Sequence, residues 1–441
     1  MSFWRIVALA GVVFCVVSFS KNKSSKTYHI VDIDKIGPIE LERVKSNPQI
    51  EWWSEVDSKM LVLSSFSVLN IEQSYQSLNI KPVIERLYLV RNGHSSSLAN
   101  MDVDTIISGG KVAVVQARSD KVPEVKCLYN IVDGVQPHSH AGVFIFESNK
   151  VLVKQVKNSF KSRKKFTWKS SVLGNLDSLD GERWFQANEK LASFHRNTHG
   201  TSIKLAREWL TQQLSQLPNM EVSLQEFKLG STSTYNIIGK LTGSERPEDW
   251  YVVGGHYDSI SQLGTSIAPG AEDNASGSAG VLEIARVFSE HPPAATMLFI
   301  LFSGEEQGLY GSKAHVGKIA ADGELSKLKA VINMDMIGYT KSETLGVLLE
   351  TEEVATDLME SLKASAEEFT DLEVSTTFNA WGSDHVPYLR KQVPAVLTID
   401  RDWGAYPAYH KDTDIIENVV PEMGIEILKM NIATLSQLAG D

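Results

Sequence analysis

Hydrophobic and polar positions follow two regimes along this chain. From about residue 166 onward, short apolar runs alternate with longer stretches whose apolar residues recur at three-and-four spacing. The short runs Tyr235–Leu241, Trp250–Gly254, Met297–Phe302, Ala330–Asn333 and Ala395–Ile399 read as strands. The longer stretches Gly181–Ser193, Thr201–Leu217, Ser276–Ser289, Leu309–Ile319, Val354–Phe369 and Pro421–Leu438 read as helices. Alternation of this kind predicts an α/β fold with a mixed, largely parallel central sheet and helices on both faces. Ligands of such sheets bind outside the carboxyl ends of the strands.

Before residue 166 the pattern is weaker. Met60–Val68, Arg86–Val90, Lys111–Ala117 and Gly142–Phe146 read as strands, and Asn70–Leu78 is a helix candidate. Residues 21–165 are therefore expected to form a smaller α+β region, separate from a domain spanning 166–441. The basic run Lys154 through Lys165 marks the boundary, either as a solvated linker or as a processing site. At the start, Arg5 precedes an apolar stretch from Ile6 to Val17, with Ser18-Phe19-Ser20 after it. That is the layout of a signal peptide over residues 1–20, too short for a membrane span, and it predicts a secreted protein, periplasmic in transit or extracellular.

The charge is uneven. Residues 21–165 carry 21 Lys and Arg against 15 Asp and Glu, and residues 166–441 carry 21 against 39. The formal net charge is −11, a balance that argues against nucleic acid as a partner. Opposite signs on the two parts also allow the first to block the second by intramolecular attraction, although both are equally readable as solvated surfaces. The cysteines are Cys15 and Cys127 alone, so cleavage after residue 20 leaves no intrachain disulfide.

Chemistry concentrates where the strand-like runs end. Glu305 and Glu306 follow Met297–Phe302 and the turn Ser303-Gly304. Two adjacent carboxylates at the end of a buried strand are costly unless a positive group neutralises them, and no Arg or Lys adjoins them. His256 follows Trp250–Gly254, with Asp258 placed to orient it. Asp273, in Pro269-Gly270-Ala271-Glu272-Asp273-Asn274-Ala275-Ser276-Gly277, is readable as a helix N-cap or as a carboxylate bridging two metals. Asp335 stands between Met334 and Met336, and His410 follows Tyr409, whose hydroxyl suits an oxyanion. His138 and His140 read as a solvated pair before they read as ligands. Singly each piece is weak; the ordered set is not.

These motifs resemble the M28 family of zinc aminopeptidases over roughly residues 180–441. The resemblance implies two zinc ions, one held by His256 and Asp335, the other by Glu306 and His410, with Asp273 bridging. It implies Glu305 as general base, Asp258 as the partner of His256, and a cis peptide at Asp273–Asn274. Trp381-Gly382-Ser383-Asp384-His385-Val386-Pro387 is similar to a family segment near the substrate pocket; Trp403 is readable as pocket lining or, equally, as core or loop packing. The expected reaction is hydrolysis of the N-terminal peptide bond of peptides or proteins. By analogy with secreted relatives, residues 21–165 are expected to be a propeptide or an accessory domain. Glutaminyl cyclase shares the fold and many of the motifs, and a non-catalytic ectodomain is the reading from another class. A serine hydrolase has no Gly-x-Ser-x-Gly elbow here.

Overall fold

The structure is a computed structural model that describes residues 167–440 without interruption and, before them, separate stretches between residues 27 and 153. The signal-like stretch, Cys127, His138, His140 and the basic run ending at Lys165 lie outside the described residues.

Most of the earlier stretches are strands: β1 (Thr27–Asp32), β2 (Trp52–Val56), β3 (Lys59–Ser64), β4 (Tyr75–Ser77), β5 (Leu87–Arg91), β6 (Val103–Gly109), β7 (Val112–Ala117), β8 (Gly142–Ile145) and β9 (Lys150–Val153). They pair into a five-stranded sheet, β4-β1-β3-β2-β9, and a four-stranded sheet, β6-β7-β5-β8. The described part of the helix expected at Asn70–Leu78 is instead strand β4, in which Val31 faces Tyr75 across an antiparallel ladder. Pairing along the edge of β1 overrides a weak local helical preference there.

Residues 167–440 carry the α/β pattern. Helices α1 (Ser170–Asp177), α2 (Gly181–Ala192) and α3 (Ile203–Ser215) come first, followed by β10 (Glu221–Leu229), β11 (Thr232–Leu241) and β12 (Arg246–His256). Asp180 caps α2 by accepting the Arg183 N–H at 3.0 Å. Then come α4 (Gly277–Glu290), β13 (Ala295–Phe302), α5 (Tyr310–Ala321), β14 (Leu328–Met334), β15 (Gly346–Glu350), α6 (Thr356–Phe369), β16 (Glu373–Thr377), α7 (Val386–Leu389), β17 (Ala395–Asp400) and α8 (Pro421–Ala439). The eight strands order as β10-β11-β13-β12-β14-β17-β15-β16.

The four middle strands, β13, β12, β14 and β17, are mutually parallel. Every residue of β13 is buried, as an apolar strand covered on both faces should be. Register sets the site: His256 pairs with Phe302, and Gly254 with Asn333. The residues that follow β12, β13 and β14 therefore emerge together at one edge of the sheet. Helix α4 packs close to that edge because Gly277 has no side chain; a Cβ there would run into Asn274 and the Met334 carbonyl. Among the described residues, no helix is long and apolar enough to cross a membrane.

Candidate metal centre

Six side chains from five stretches of chain meet beyond the carboxyl ends of β12, β13 and β14. His256, the last residue of β12, brings its Nε2 to 3.3 Å from Asp335 Oδ1, 3.4 Å from Asp273 Oδ1 and 4.0 Å from Glu305 Oε2. His410 brings its Nε2 to 3.0 Å from Asp273 Oδ2 and 3.1 Å from Glu306 Oε2. Asp273 thus faces one imidazole with each oxygen. All of these groups are at most 2% exposed.

Their backbones are held by special geometry. Gly304 turns the chain after β13 at φ 69°, which presents Glu305 and Glu306 inward. Met336 and His410 also adopt positive φ, 54° and 55°. Asp273 precedes a cis peptide to Asn274, within the irregular turn Ala271–Ser276. The Asn274 side chain fixes that turn, donating to Met334 O at 2.9 Å and accepting the N–H groups of Gly277 (2.9 Å) and Met336 (3.2 Å). Asp273 does not cap α4: neither of its oxygens accepts a hydrogen bond.

Asp258 behaves differently. Its carboxylate accepts the N–H groups of Glu305 and Glu306 at 3.3 and 3.4 Å and the Thr198 hydroxyl at 3.0 Å. It meets His256 Nδ1 through its own carbonyl at 3.1 Å, with carboxylate Oδ1 at 3.7 Å. Two hydroxyls and a second carboxylate complete the surroundings. Ser383 Oγ donates to Asp335 Oδ2 at 2.6 Å. Asp414 accepts the N–H groups of Glu272 and Asp273 at 2.9 and 3.0 Å and the Tyr406 hydroxyl at 2.6 Å. Tyr409 stacks on His410 with ring centroids 3.8 Å apart. Trp381 and Trp403 line a small cavity together with Asp335, Met336 and Glu350. Asn274, the asparagine of a glycosylation sequon, is fully buried.

The electrostatics are those of acids crowded around two bases. Burial works against charge on His256, but Asp335 and Glu305 outweigh it and hold the pKa well above the usual imidazole value. Burial likewise opposes charge on His410, and Glu306 and Asp273 raise it to about 10. Burial pushes Glu306 up to about 7 despite His410. Burial drives Glu305 well above the carboxylate range, with His256 opposing and Glu306 reinforcing. For Asp273 burial is outweighed by the two imidazoles, which hold it far below that range.

Buried carboxylate oxygens without donors are costly, and Asp273 and Glu306 each have two. A cation removes that cost. Two donor groups lie within 4.8 Å internally: His256 with Glu305 and Asp335, and His256 with Asp273 and Glu306. Imidazole nitrogen with carboxylate oxygen is a donor set that suits zinc.

Residues 236–435 match the model of peptidase family M28. Among curated proteins, the chain is 29% identical to leucine aminopeptidase 1 of Trichophyton equinum over 292 residues, 61% of this chain and 77% of that protein. It is 27% identical to a probable zinc metalloprotease of Pyrenophora tritici-repentis over 313 residues, 58% of this chain and 64% of that protein. It thus spans under two thirds of the length of the latter. Among solved structures, the fold is similar to the LapA aminopeptidase of Legionella pneumophila (TM-score 0.56, 17% identity, 81% of this chain and 98% of that one). It is also similar to a glutaminyl cyclase of Macrostomum lignano (TM-score 0.54, 17% identity, 64% of this chain and 96% of that one). These structural likenesses are ones of fold. The stretch that matches the peptidase family M28 model, residues 236–435, is the one that carries His256, Asp273, Glu305, Glu306, Asp335 and His410.

Proposed function

We propose that this protein is a two-zinc aminopeptidase that hydrolyses the N-terminal peptide bond of peptides or proteins. One observation carries the reading: five potential ligands converge around buried carboxylate oxygens that nothing else satisfies. His256 and Asp335 would hold one ion, Glu306 and His410 the other, with Asp273 between them. Zinc held there supplies Lewis-acid charge that polarises a carbonyl and makes water nucleophilic near neutral pH.

The chain's own groups do the rest. Glu305, its basicity raised by burial, takes the proton of the attacking water and passes it to the departing amine. Asp258 fixes the backbone of Glu305 and Glu306 through two N–H bonds and so aims both side chains. The Tyr409 hydroxyl, beside His410, stabilises the oxyanion that forms on the scissile carbonyl. The acidic surround receives the substrate's free α-amine. An aminopeptidase named among the relatives supports this choice, and the glutaminyl cyclase fold neighbour sets the rival to exclude.

The signal-like start supports export, with residues 21–165 either a removable prosegment that blocks the cleft or a permanent accessory domain. The deciding assay compares an aminoacyl-nitroanilide with an N-terminal glutaminyl peptide. Release of nitroaniline without cyclisation is the expected result; cyclisation alone would assign the chain to the rival chemistry. N-terminal sequencing of the exported active form locates the mature start.

A further inference from the structure

A buried cation stands behind the cluster and is none of its ligands. Arg196 lies in the connector between α2 and α3 and is fully buried. Its Nε donates to the Tyr257 carbonyl at 2.8 Å, Nη1 to those of Leu191 (2.8 Å) and Pro269 (2.5 Å), and Nη2 to that of Gly270 (2.7 Å). Its backbone adds an N–H bond to Ala268 O and accepts the Ser259 N–H, both at 3.2 Å. Tyr257 stands between His256 and Asp258, and Pro269-Gly270 leads into Asp273. One planar fork therefore ties together the two ends of the connector that runs from His256 to Asp273.

The surroundings are shaped for that fork. Gly270 has φ 56°, and a Cβ on it would run into the Asp273 carbonyl and Ser259 and press on the guanidinium. Two residues beyond Arg196, Thr198 donates to Asp258 at 3.0 Å, so the same connector reaches the carboxylate that aims Glu305 and Glu306. Carbonyls take four of the five N–H donors but do not balance the charge. Burial lowers the guanidinium to about 10, and Asp414, Asp258, Asp273 and Glu306 oppose that fall, so it stays cationic at neutral pH.

We propose that Arg196 is a positioning residue that sets the separation between the His256 and Asp273 arms of the centre, and through it the affinity for zinc. The proposal rests on the zinc-peptidase reading above. It differs from a role as counter-charge alone in the sign of its consequences. Losing a nearby positive charge would by itself tighten zinc, whereas losing the clamp loosens it. Lysine keeps the charge but has one nitrogen, which cannot span the Leu191 carbonyl and both ends of that connector.

The test is zinc competition against a graded chelator for wild type, Arg196→Lys and Arg196→Met, with thermal melts of the metal-free proteins. The expected result is zinc binding at least about tenfold weaker in both variants, the range seen when groups that orient ligands are lost. Wild-type affinity in Arg196→Lys, or tighter binding in Arg196→Met, overturns the clamp in favour of counter-charge. A lower metal-free melting temperature with unchanged zinc affinity, or failure of both variants to fold, assigns a purely structural role and overturns it equally. If only Arg196→Met fails to fold, Arg196→Lys decides. Wild type that binds no zinc overturns both this proposal and the functional reading. Wild type with zinc and an equally loaded Arg196→Lys overturns this proposal alone.

Discussion

Two sets of buried carboxylates share this end of the sheet and are treated in opposite ways. Asp258 and Asp414 are saturated with donors: each accepts two backbone N–H groups and one hydroxyl. Asp273 and Glu306, equally buried, accept none and face imidazoles instead. Burial alone does not separate them, since all four are at most 2% exposed. What separates them is whether the chain spends its own donors on them. A carboxylate that the backbone satisfies is scaffold; one left open inside the protein is stable only against a cation. The first set holds the second in place, because the N–H groups that Asp258 and Asp414 bind belong to Glu305, Glu306, Glu272 and Asp273 themselves.

The comparison can be broken at several points. The largest effect is expected at Glu305, the neighbour of the open set. Glu305→Gln keeps the shape and removes the base, so turnover should fall by about 10²–10⁴-fold with zinc content unchanged. Stopped assays on metal-quantified protein check this, and a loss under tenfold would remove Glu305 from the role of base. The satisfied set should act indirectly. Asp258→Asn should weaken zinc by about 10–100-fold, read by chelator competition, because it loosens the ligands without being one. Unchanged affinity would mean the two sets are independent.

A third histidine sharpens the contrast by lacking acids. His315 in α5 is buried against Phe302, its Nδ1 lies 2.6 Å from the Tyr388 hydroxyl, and burial lowers it to about 4. A base whose folded pKa is depressed costs stability when protonated. The unfolded chain binds more protons between about pH 6.5 and pH 4, so stability falls as pH falls through that window. The full difference amounts to about 3 kcal/mol. Denaturant melts of His315→Gln from pH 7 to pH 4 should show a shallower decline than wild type; parallel curves would contradict the assignment. The smallest effect is expected from Thr198→Val, which removes one of three donors to Asp258. A stability loss of about 1.5–3 kcal/mol is the range for a bond to a charged group. Folded protein should retain its zinc, and full loss of zinc would mean that Asp258 depends on that hydroxyl far more than on the backbone.

Much of this was legible in the sequence, for a physical reason. Strands β12, β13, β14 and β17 are covered on both faces, so each reads as an apolar run, and the residues after each run are where the site lies. Strand β10 escapes because it lies at the sheet edge: Glu221–Leu229 is mostly exposed or half-buried and carries Glu, Gln and Lys between its apolar residues. Strand β16, at the other edge, is rich in Ser and Thr. The ligand-type residues stood out as acids and histidines at strand ends. Arg196 and Thr198 did not, because all their named side-chain partners but Leu191 lie 60 or more residues away and their own neighbourhood, Phe194-His195-Arg196-Asn197-Thr198, reads as an ordinary polar connector. Asp414 lies in the same stretch as His410, yet nothing local distinguishes a carboxylate that accepts Asp273 N–H from a solvated one.

The central claim is that the open carboxylates and the two imidazoles form one centre for two ions. Elemental analysis of folded protein, loaded with zinc and dialysed at neutral pH, tests it most directly. The account predicts close to two zinc ions per chain in wild type and a clear fall in Asp273→Ala; zinc near zero in wild type, or two ions retained without Asp273, would contradict it.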